Sequence, residues 1–454
     1  MRKTKIALAL SFAAAGVFST SAMATNGTNM IAVGAQSAAT GGTGVAGYFG
    51  AENVIINPAL IGKGDGTEFT FGGTLFAPNV KTKTNVISAA PHAFNYDYPD
   101  GSGTSGADLF VVPSVAFATR INSTMSFGIG MFGTSGMGVD YRTNDGLFNG
   151  QSQLQIMRFV PTLTFNTRDR KMAVGISPIL QYGALDINYR LNKNMLNEPP
   201  FGSAPADGNE AQYGSGLATD LGLGYTIGTY FDLNKHVTVG LAYQSPISMK
   251  YNGQLSGASE GFNLDANYPL AFGDELEQPA EIKAGISYAS KRFMVNADIK
   301  QIQWAEAAGF KDYGWENQMV YAVGMKFIGK KSWIGVGYNY GKNPIQEQAT
   351  SSDAAPTAAE YQGAATNVFN NIFFPATVEE HFTIGGGYNI SKNASLEGAF
   401  VYTPKVKTTV DASAVTNGFV HSNMGGSGSP AATSSSSTTE HSQMGVTMQM
   451  KYHF

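Results

Sequence analysis

The sequence has 454 residues, of which 55 are glycine, 11% are aromatic, 14% are charged and none is cysteine. The aromatic content excludes a disordered chain, and the lack of cysteine excludes disulfide scaffolds and Cys-ligated zinc or iron–sulfur sites. The formal net charge of -4 offers no basic footprint for nucleic acid, so we expect no nucleic-acid partner.

The first 24 residues have the three parts of a secretory signal peptide. A positive start at residues 2–5 is followed by an apolar stretch at 6–18 and by a small-residue cleavage site at 22–24. The apolar stretch is well short of the ~20 residues that a spanning helix needs, which argues against a membrane anchor. We therefore predict that residues 1–24 are removed and that the mature chain begins at Thr25.

The next segment, residues 25–66, is rich in small residues and does not alternate between apolar and polar positions. In the strands predicted after it, many positions on the less apolar face are glycine. Glycine inside a strand often marks the close approach of another backbone. We predict that residues 25–66 form a plug, called the hatch below, although glycines that merely relieve crowding are the alternative.

From residue 67 onward the chain alternates between apolar residues and small or polar ones, and no run of 18 apolar residues follows residue 24. In 237–244, for example, Val, Val, Leu and Tyr alternate with Thr, Gly, Ala and Gln. One strand at each end, about 67–78 and 440–454, flanks six predicted hairpins, which makes fourteen strands. The hairpin turns are short and polar and lie near residues 120–123, 167–170, 232–235, 290–292, 329–331 and 391–393.

The connections between the hairpins are long, apart from one near 307–314. Tight turns on one side and long loops on the other are typical of outer-membrane barrels, which also have an even number of strands. A soluble sandwich has no reason to place its short and long connections on different sides. Closing the sheet into a barrel also pairs every backbone N–H and C=O group that lies at membrane depth. We predict an all-β fold, a transmembrane 14-stranded antiparallel β-barrel of residues 67–454 with the hatch in its lumen. The long loops are predicted at about 79–106, 134–150, 191–214, 253–278, 344–375 and 412–438.

Several motifs resemble those of FadL-type outer-membrane channels for long-chain fatty acids and other hydrophobic compounds. Residues 41–46 followed by Asn57, Pro58 and Ala59 are similar to the family's N-terminal hatch with its NPA signature. Further similarity lies at 133–138, 297–304, 321–324 and 393–396, so the resemblance covers essentially the whole mature chain.

The resemblance implies an uptake channel in the bacterial outer membrane, with long-chain fatty acids as the predicted ligands. Such channels collect a ligand on outward loops, bind it in an apolar pocket at the hatch, and release it sideways beside a kinked third strand. The resemblance implies a pocket at Met30 and Ile31. It implies a lateral gate at Gly133, Gly136 and Gly138, where the alternation of the third strand breaks. A strand end that enters an ordinary loop is the alternative.

Two outward loops carry apolar clusters, and exposed apolar patches often mark ligand sites. The resemblance implies a loose hydrophobic groove there, although the same residues could pack on each other to order the loops. The groove candidates are Leu196 and Phe201 in one loop and Phe262, Leu264, Leu270 and Phe272 in the other.

A fatty carboxylate needs a cation at the polar end of its pocket. By position, Arg190 at the end of the fifth strand and Lys311 resemble the family's head-group residues, and a solvated loop charge is the alternative for each. Inward charges such as Lys283, Asp298 and Lys300 suit either a porin lumen or salt bridges to a hatch.

We expect no enzymatic activity, no cofactor and no metal site. The G-x-S-x-G match at 257–261 lies in a polar loop without the strand–turn–helix context of a nucleophile elbow, and the six histidines lack metal-ligand spacing.

An aromatic-hydrocarbon or alkane channel of the same fold, an aqueous porin and a surface adhesin scaffold stay open as alternative functions. The expected partners are a hydrophobic small molecule, outer-membrane lipid and, through the C-terminal Phe454, the barrel-assembly machinery. We expect a monomer.

Overall fold

The alternating segments fold into strands that pair with their neighbours around a complete ring. The computed structural model describes residues 25–86, 88–89, 100–192, 210–214, 216–264, 267–423 and 432–454. Eighteen strands form within these residues, and four of them are short: β1 (Thr25–Asn26), β2 (Asn29–Met30), β4 (Gly101–Thr104) and β9 (Glu210–Tyr213). The fourteen long strands are β3 (Thr67–Thr84), β5 (Phe110–Arg120), β6 (Met125–Asp140), β7 (Gln151–Asn166), β8 (Met172–Asn192), β10 (Ala218–Asp232), β11 (Val237–Gln244), β12 (Glu281–Ala289), β13 (Phe293–Ile302), β14 (Gln318–Ile328), β15 (Ser332–Gly341), β16 (Glu380–Asn389), β17 (Ala394–Asp411) and β18 (Ser436–His453).

Each long strand pairs antiparallel with the next, and β18 closes the ring by pairing with β3. A closed ring has no sheet edge, so the backbone groups of the wall bond to one another. The outward side chains are large and apolar, as Leu223 and Leu241 illustrate at 77% and 58% exposure. The predicted 14-stranded transmembrane barrel is confirmed, and each of the six predicted tight turns joins two adjacent strands.

Three of the predicted loops contain α-helices where only loop structure was predicted. Thr357 and Glu360 form a capping box, each side chain bonding the other's backbone N–H, and this starts a helix where only a loop was predicted. None of the helices in the described part of the chain is long and apolar enough to cross a membrane. The α-helices are α1 (Ala35–Ala39), α2 (Asn53–Ile56), α3 (Leu255–Glu260), α4 (Ala358–Phe373) and α5 (Ser413–Asn423), and 3₁₀ helices lie at Pro58–Lys63, Asp145–Leu147, Trp304–Glu306 and Phe310–Tyr313.

The first and last strands extend further on the long-loop side than predicted. Residues 79–84 and 436–439 are polar, so the apolar alternation that marks a membrane strand is missing there. They nevertheless pair in register, with Lys81 opposite Glu440 and Thr84 opposite Ser437. The ladder therefore continues beyond the apolar band because backbone pairing does not depend on hydrophobic side chains.

The hatch lies against the inner wall of the barrel. A Cβ added at Gly240 of β11 would meet the backbone of Val45, one added at Gly324 of β14 would meet that of Thr40, and one at Gly175 of β8 would meet that of Pro58. Because these strands lie on different sides of the ring, the hatch touches the wall in several directions. The inward glycines thus make room for the hatch backbone, while the division of the chain at residues 24 and 66 stays a prediction.

We expect Gly337→Ala to push the hatch away from the wall, because the added Cβ would overlap the backbone of Thr40 and Gly41. The lipid-facing surface is unchanged, so the barrel should still fold, and its ion conductance in planar bilayers should rise several-fold. Gly445→Ala is the control, since its Cβ would make only ordinary contacts at 3.7 Å or more. Equal conductance of the two variants would contradict this placement of the hatch.

Candidate functional site

A cavity of about 90 Å³ lies between the hatch and the barrel wall. Because a water molecule needs roughly 10–15 Å³ of such space, the cavity has room for several water-sized groups. Its hatch side is apolar and its wall side is partly charged. The apolar residues include Met30, Ile31, Val33, Ile55 and Ile56, and the polar ones include Asn29, Arg158, Gln244, Glu281, Lys283, Asp298 and Lys300.

The NPA signature holds the hatch next to this cavity. The Asn57 side chain accepts a hydrogen bond from Ala59 N at 3.2 Å and caps the 3₁₀ helix, in which Pro58 takes the first position. The same side chain donates to Val45 O at 2.7 Å and to Thr229 O of β10 at 3.1 Å. The motif therefore ends α2, begins the next turn and ties both to the wall.

The polar end of the cavity centres on Glu281. Its carboxylate accepts from Asn29 Nδ2 at 2.8 Å and from Lys283 Nζ at 2.8 Å, and Lys300 Nζ lies 3.9 Å away. Asp298 Oδ2 accepts from the backbone N–H of Gly44 and Val45 and so binds the hatch. Formal charges on the cavity lining are three positive and two negative.

Arg158 is the cation that this arrangement leaves without a carboxylate. Its side chain is 4% exposed and donates to the amide oxygens of Gln181 at 2.8 Å and Gln244 at 2.7 Å. Within the described part of the chain, no carboxylate oxygen lies within 4 Å of its guanidinium nitrogens. The Gln244 Nε2 donor also has no partner there. A buried cation held only by neutral groups favours an anionic partner.

The sequence analysis did not select Arg158, although the alternation of its strand was visible in the sequence. In β7, Met157 and Phe159 face outward and Arg158 faces inward, as strict alternation requires. Inward positions of such a barrel are ordinarily polar, so the alternation places Arg158 in the lumen but does not distinguish it from the other inward charges.

The two cations that were selected lie elsewhere. Arg190 is an exposed residue near the end of β8, and its backbone N–H donates to Phe148 O at 2.7 Å. Lys311 is exposed in the 3₁₀ helix Phe310–Tyr313 and lines an outer groove with Asp274. Neither lines the cavity that contains Met30 and Ile31. The cations that line this cavity among the described residues are Arg158, Lys283 and Lys300.

The apolar loop residues are covered by other parts of the chain. Phe262 and Leu270 are buried, and Leu264 and Phe272 are partly buried against the same core. The ring of Phe272 lies 4.4 Å from that of Tyr313, between centroids, and 5.6 Å from that of Phe369 in α4. The expectation of an exposed groove is therefore wrong for these four residues, which order the loops by packing. Leu196 and Phe201 lie outside the described residues.

The wall of the barrel is interrupted between β5 and the third barrel strand, β6. Pairing between these strands ends at Ser114 and Phe132, whereas β6 continues to Asp140, still paired with β7 but no longer with β5. A bulge at Thr134 shifts the register, since Gly133 faces Met157 and Ser135 faces Ile156. The stretch with Gly133, Gly136 and Gly138 is thus a strand that leaves its neighbour, and the alternative of an ordinary loop is excluded.

The separated part of β6 turns toward the hatch. Gly136 N donates to Thr28 O at 3.0 Å, and Ser135 pairs with Asn29. The Ser135 hydroxyl lies 2.8 Å from that of Thr28. Hatch backbone thereby replaces the β5 backbone as the partner of the separated strand.

The hairpin of β1 and β2 separates the cavity from a smaller one beside the wall interruption. Asn29 and Met30 line the larger cavity, while Thr25 and Gly27 line the smaller one, which has about 20 Å³ and also contacts residues 136–138 of β6. The hairpin thus contributes residues to both cavities.

A buried charge cluster fixes the other side of the hatch. Lys451 Nζ of β18 lies 3.5 Å from Glu52, 3.7 Å from Glu68 and 3.8 Å from Glu397, and it donates to Phe49 O at 2.6 Å. Burial, opposed by Lys451, raises the pKa of Glu52 to about 7. Lys326 completes the cluster through Gln36. The cluster thus brings together three carboxylates, Glu52, Glu68 and Glu397, and two ammonium groups, Lys326 and Lys451.

We expect Lys451→Met to loosen the hatch, because removing one partner of a buried charge cluster costs about 3–5 kcal/mol. Hydrogen exchange should show faster exchange at residues 49–52 while the barrel strands stay protected. Adding Glu68→Gln and Glu397→Gln to the same variant should restore much of the protection, since uncompensated carboxylates are then removed. Unchanged exchange in the single variant would show that the cluster does not hold the hatch.

A closed 14-stranded barrel with an apolar outer face and a segment packed in its lumen defines an outer-membrane transport barrel. Residues 11–454 match the family described as outer membrane protein transport protein (OMPP1/FadL/TodX). The chain belongs to this family, which is one of transport proteins, and it is located in the outer membrane. The resemblance noted in the sequence is thus confirmed.

Curated relatives and solved structures agree with this assignment. Outer membrane protein P1 of Haemophilus influenzae is 20% identical over 441 residues, 87% of this chain and 92% of that protein. The 47 kDa outer membrane protein of Pasteurella multocida is 22% identical over 200 residues, 41% of this chain and 45% of that protein's length. A Pseudomonas aeruginosa FadL homologue has a TM-score of 0.66 at 14% identity, covering 94% of this chain and 100% of that one. The P. putida toluene transporter TodX has a TM-score of 0.62 at 16% identity, covering 93% and 99%. At these identities the two structures establish the fold alone.

Proposed function

We propose that this protein takes up hydrophobic acids, and in particular long-chain fatty acids, across the outer membrane. The observation that carries the proposal is the cavity at the hatch, where Met30, Ile31 and their apolar neighbours meet the buried cation Arg158. A fatty acid has one apolar and one anionic part, and the two parts of this cavity match them. The acyl chain contacts the hatch and the carboxylate bonds to Arg158, with Lys283 and Lys300 nearby.

The energetics of binding divide between the two ends of the ligand. Each buried CH₂ contributes about 0.8 kcal/mol, and a charge-assisted hydrogen bond contributes about 1.5–3 kcal/mol. The unpartnered Gln244 Nε2 supplies a second donor at the polar end. Apolar burial therefore provides most of the affinity, and the cation selects an acid over a neutral compound of equal length.

Release proceeds sideways through the interruption between β5 and β6. The ligand cannot leave the cavity toward β6 while the β1–β2 hairpin lies between the two cavities. A carboxylate at Lys283 and Lys300 competes with Glu281 for the same ammonium groups, and Glu281 also holds Asn29 of the hairpin. Binding at the polar end thus changes the charge environment of the carboxylate to which the hairpin is bonded.

A neutral aromatic hydrocarbon is the second candidate ligand. Two of the similar structures are described as toluene transporters, from P. putida and from Ralstonia pickettii. An aromatic hydrocarbon makes only a cation–π contact with a buried cation, worth about 0.5–2 kcal/mol, whereas a carboxylate makes charge-assisted hydrogen bonds of about 1.5–3 kcal/mol each. The charged lining of this cavity therefore favours the acid. An alkane makes neither contact and is disfavoured.

We expect Arg158→Gln to weaken binding of a long-chain fatty acid roughly 10- to 150-fold, because one charge-assisted hydrogen bond is lost. Glutamine keeps a donor for the neighbouring amides, so the fold should be retained. Binding of the alcohol with equal chain length should change little. Titration of the purified barrel with both ligands provides the measurement.

Arg190→Gln and Lys311→Gln are matched controls, since each removes a cation outside the cavity. Neither should change the ratio of acid to alcohol affinity. Equal losses of acid and alcohol in Arg158→Gln would mean that the arginine supports the cavity's structure. Wild-type binding of toluene with no measurable binding of acid would favour the second candidate.

A disulfide between Thr28→Cys and Ser135→Cys should close the sideways route. The two native hydroxyls lie 2.8 Å apart, and the sequence has no other cysteine, so a single cross-link forms under oxidation. Uptake by cells should fall when the pair is oxidised and recover with a reductant, while each single cysteine variant should behave as the parent. Normal uptake by the cross-linked protein would exclude movement of the hairpin from the transport route.

A further inference from the structure

Four lysines lie together on the outer face of the barrel, at the long-loop end of three adjacent strands. Lys81 and Lys83 belong to β3, Lys405 and Lys407 belong to β17, and the strand between them, β18, contributes Glu440. We call the four lysines the basic patch. They are all exposed, and none is part of the cavities described above.

The strand register fixes the spacing of the basic patch. Lys81 of β3 and Lys407 of β17 face Glu440 from its two sides. Since neighbouring strands are about 4.7–4.9 Å apart, the Cα atoms of these lysines are about 10 Å apart. Lys83 lies two residues, or about 7 Å, further along β3. Four ammonium groups thus share an area that one or two lipid head groups would cover.

The basic patch lies just above the apolar band of the barrel. On the outer face of β3 the residues below it are Phe69, Phe71 and Leu75, and on β18 they are Met448 and Met444. Phe69 and Lys81 are twelve residues apart, about 40 Å along the strand and roughly 30 Å along the membrane normal after strand tilt. The apolar band of such barrels is about 25 Å tall, so Lys81 lies at head-group height. The long loops mark this side as the external one.

One carboxylate does not neutralise this charge. Lys405 Nζ lies 2.7 Å from Glu440, which leaves a formal charge of three on the patch. The neighbouring outward residues on β4, Ser102 and Thr104, are uncharged, and Glu380 on the β16 side accepts from the Tyr338 hydroxyl at 2.7 Å. Like charges this close repel one another, so an anionic partner outside the chain would stabilise the arrangement.

We infer that the basic patch binds the phosphate groups of the phosphorylated glycolipid, lipopolysaccharide, in the outer leaflet. Phosphate is the anionic group of this lipid at head-group height, and lysine ammonium groups bind phosphate as point charges. The acyl chains of the same lipid would lie on Leu75 and Met444 below. The patch lies on the outer face of β3 and β17, on either side of β18, and the inner faces of β3 and β18 contribute Val80 and His441 to the smaller cavity. Bound glycolipid would therefore lie beside the wall at the level of the sideways route.

Binding of purified lipid A to the intact barrel in detergent, followed by native mass spectrometry, tests the inference. Each lysine near an anionic surface contributes about fivefold in affinity. Changing Lys81 and Lys407 together to glutamine should weaken lipid A binding about 25-fold, and replacing both with arginine should preserve it. Glu440→Gln should strengthen binding, because it removes the negative charge that competes with phosphate. A misfolded variant would bind lipid A less well. Stronger binding by Glu440→Gln therefore indicates that the patch recognises phosphate.

The control variant is Lys330→Gln with Lys331→Gln, which removes two exposed lysines at the tight turn between β14 and β15. It should bind lipid A as the parent does. For lipid A that lacks its phosphates, the parent should bind no more tightly than the Lys81→Gln, Lys407→Gln variant does. Equal binding of both lipids by the parent, or unchanged binding by that double variant, would overturn the inference. Full displacement of lipid A by millimolar inorganic phosphate would overturn the assignment to a lipid.

Discussion

Backbone groups at membrane depth must be paired within the protein, and this constraint determines how the barrel can open. A strand that leaves its neighbour exposes N–H and C=O groups that lipid cannot satisfy. In this protein β6 leaves β5 after Phe132, and the hatch takes over the pairing through Thr28 and Asn29. The interruption of the wall therefore depends on the hatch, and a movement of the hatch changes the pairing of the wall. One set of hydrogen bonds connects the hatch in the lumen to the interruption of the wall.

Because the wall depends on the position of the hatch, the lumen is both tightly packed and highly polar. Inward glycines on opposite sides of the ring let the hatch backbone approach the wall, and buried charges then hold it there without a large apolar core. Lys451 and Asp298 each bind hatch backbone as well as carrying charge. Arg158 differs, since its partners are neutral amides. This difference separates the charges that hold the hatch from the one available to a ligand.

The barrel carries an excess of positive charge at one place on its inner face and at another on its outer face. Inside, a narrow cavity with a net positive lining meets an apolar hatch surface. Outside, lysines at the end of β3 and β17 meet the head-group layer above an apolar band. Both arrangements pair an apolar surface with cations at one end, so amphiphilic anions fit each of them, although at different depths and with different access.

Alternation and turn chemistry in the sequence determined the architecture of this protein. A period of two with short polar turns is a local property, so the strand count, the hairpins and the hatch segment followed from it, as did the family resemblance carried by Asn57, Pro58 and Ala59. Helix α4 was missed because its capping box lies inside a loop whose overall composition is polar.

The residues that line the cavity were predicted only in part. Met30 and Ile31 do line it, but Arg190 and Lys311 do not, because position along a strand does not say which cations converge across the lumen. Lys283 and Lys300 lie on the neighbouring strands β12 and β13, whereas Arg158 lies on β7, and the three cations line one cavity only when the ring closes. The separation of β6 from β5 was likewise decided by tertiary structure, since a glycine-rich stretch can end a strand or redirect it, and here the hatch supplied the hydrogen bonds that made redirection stable.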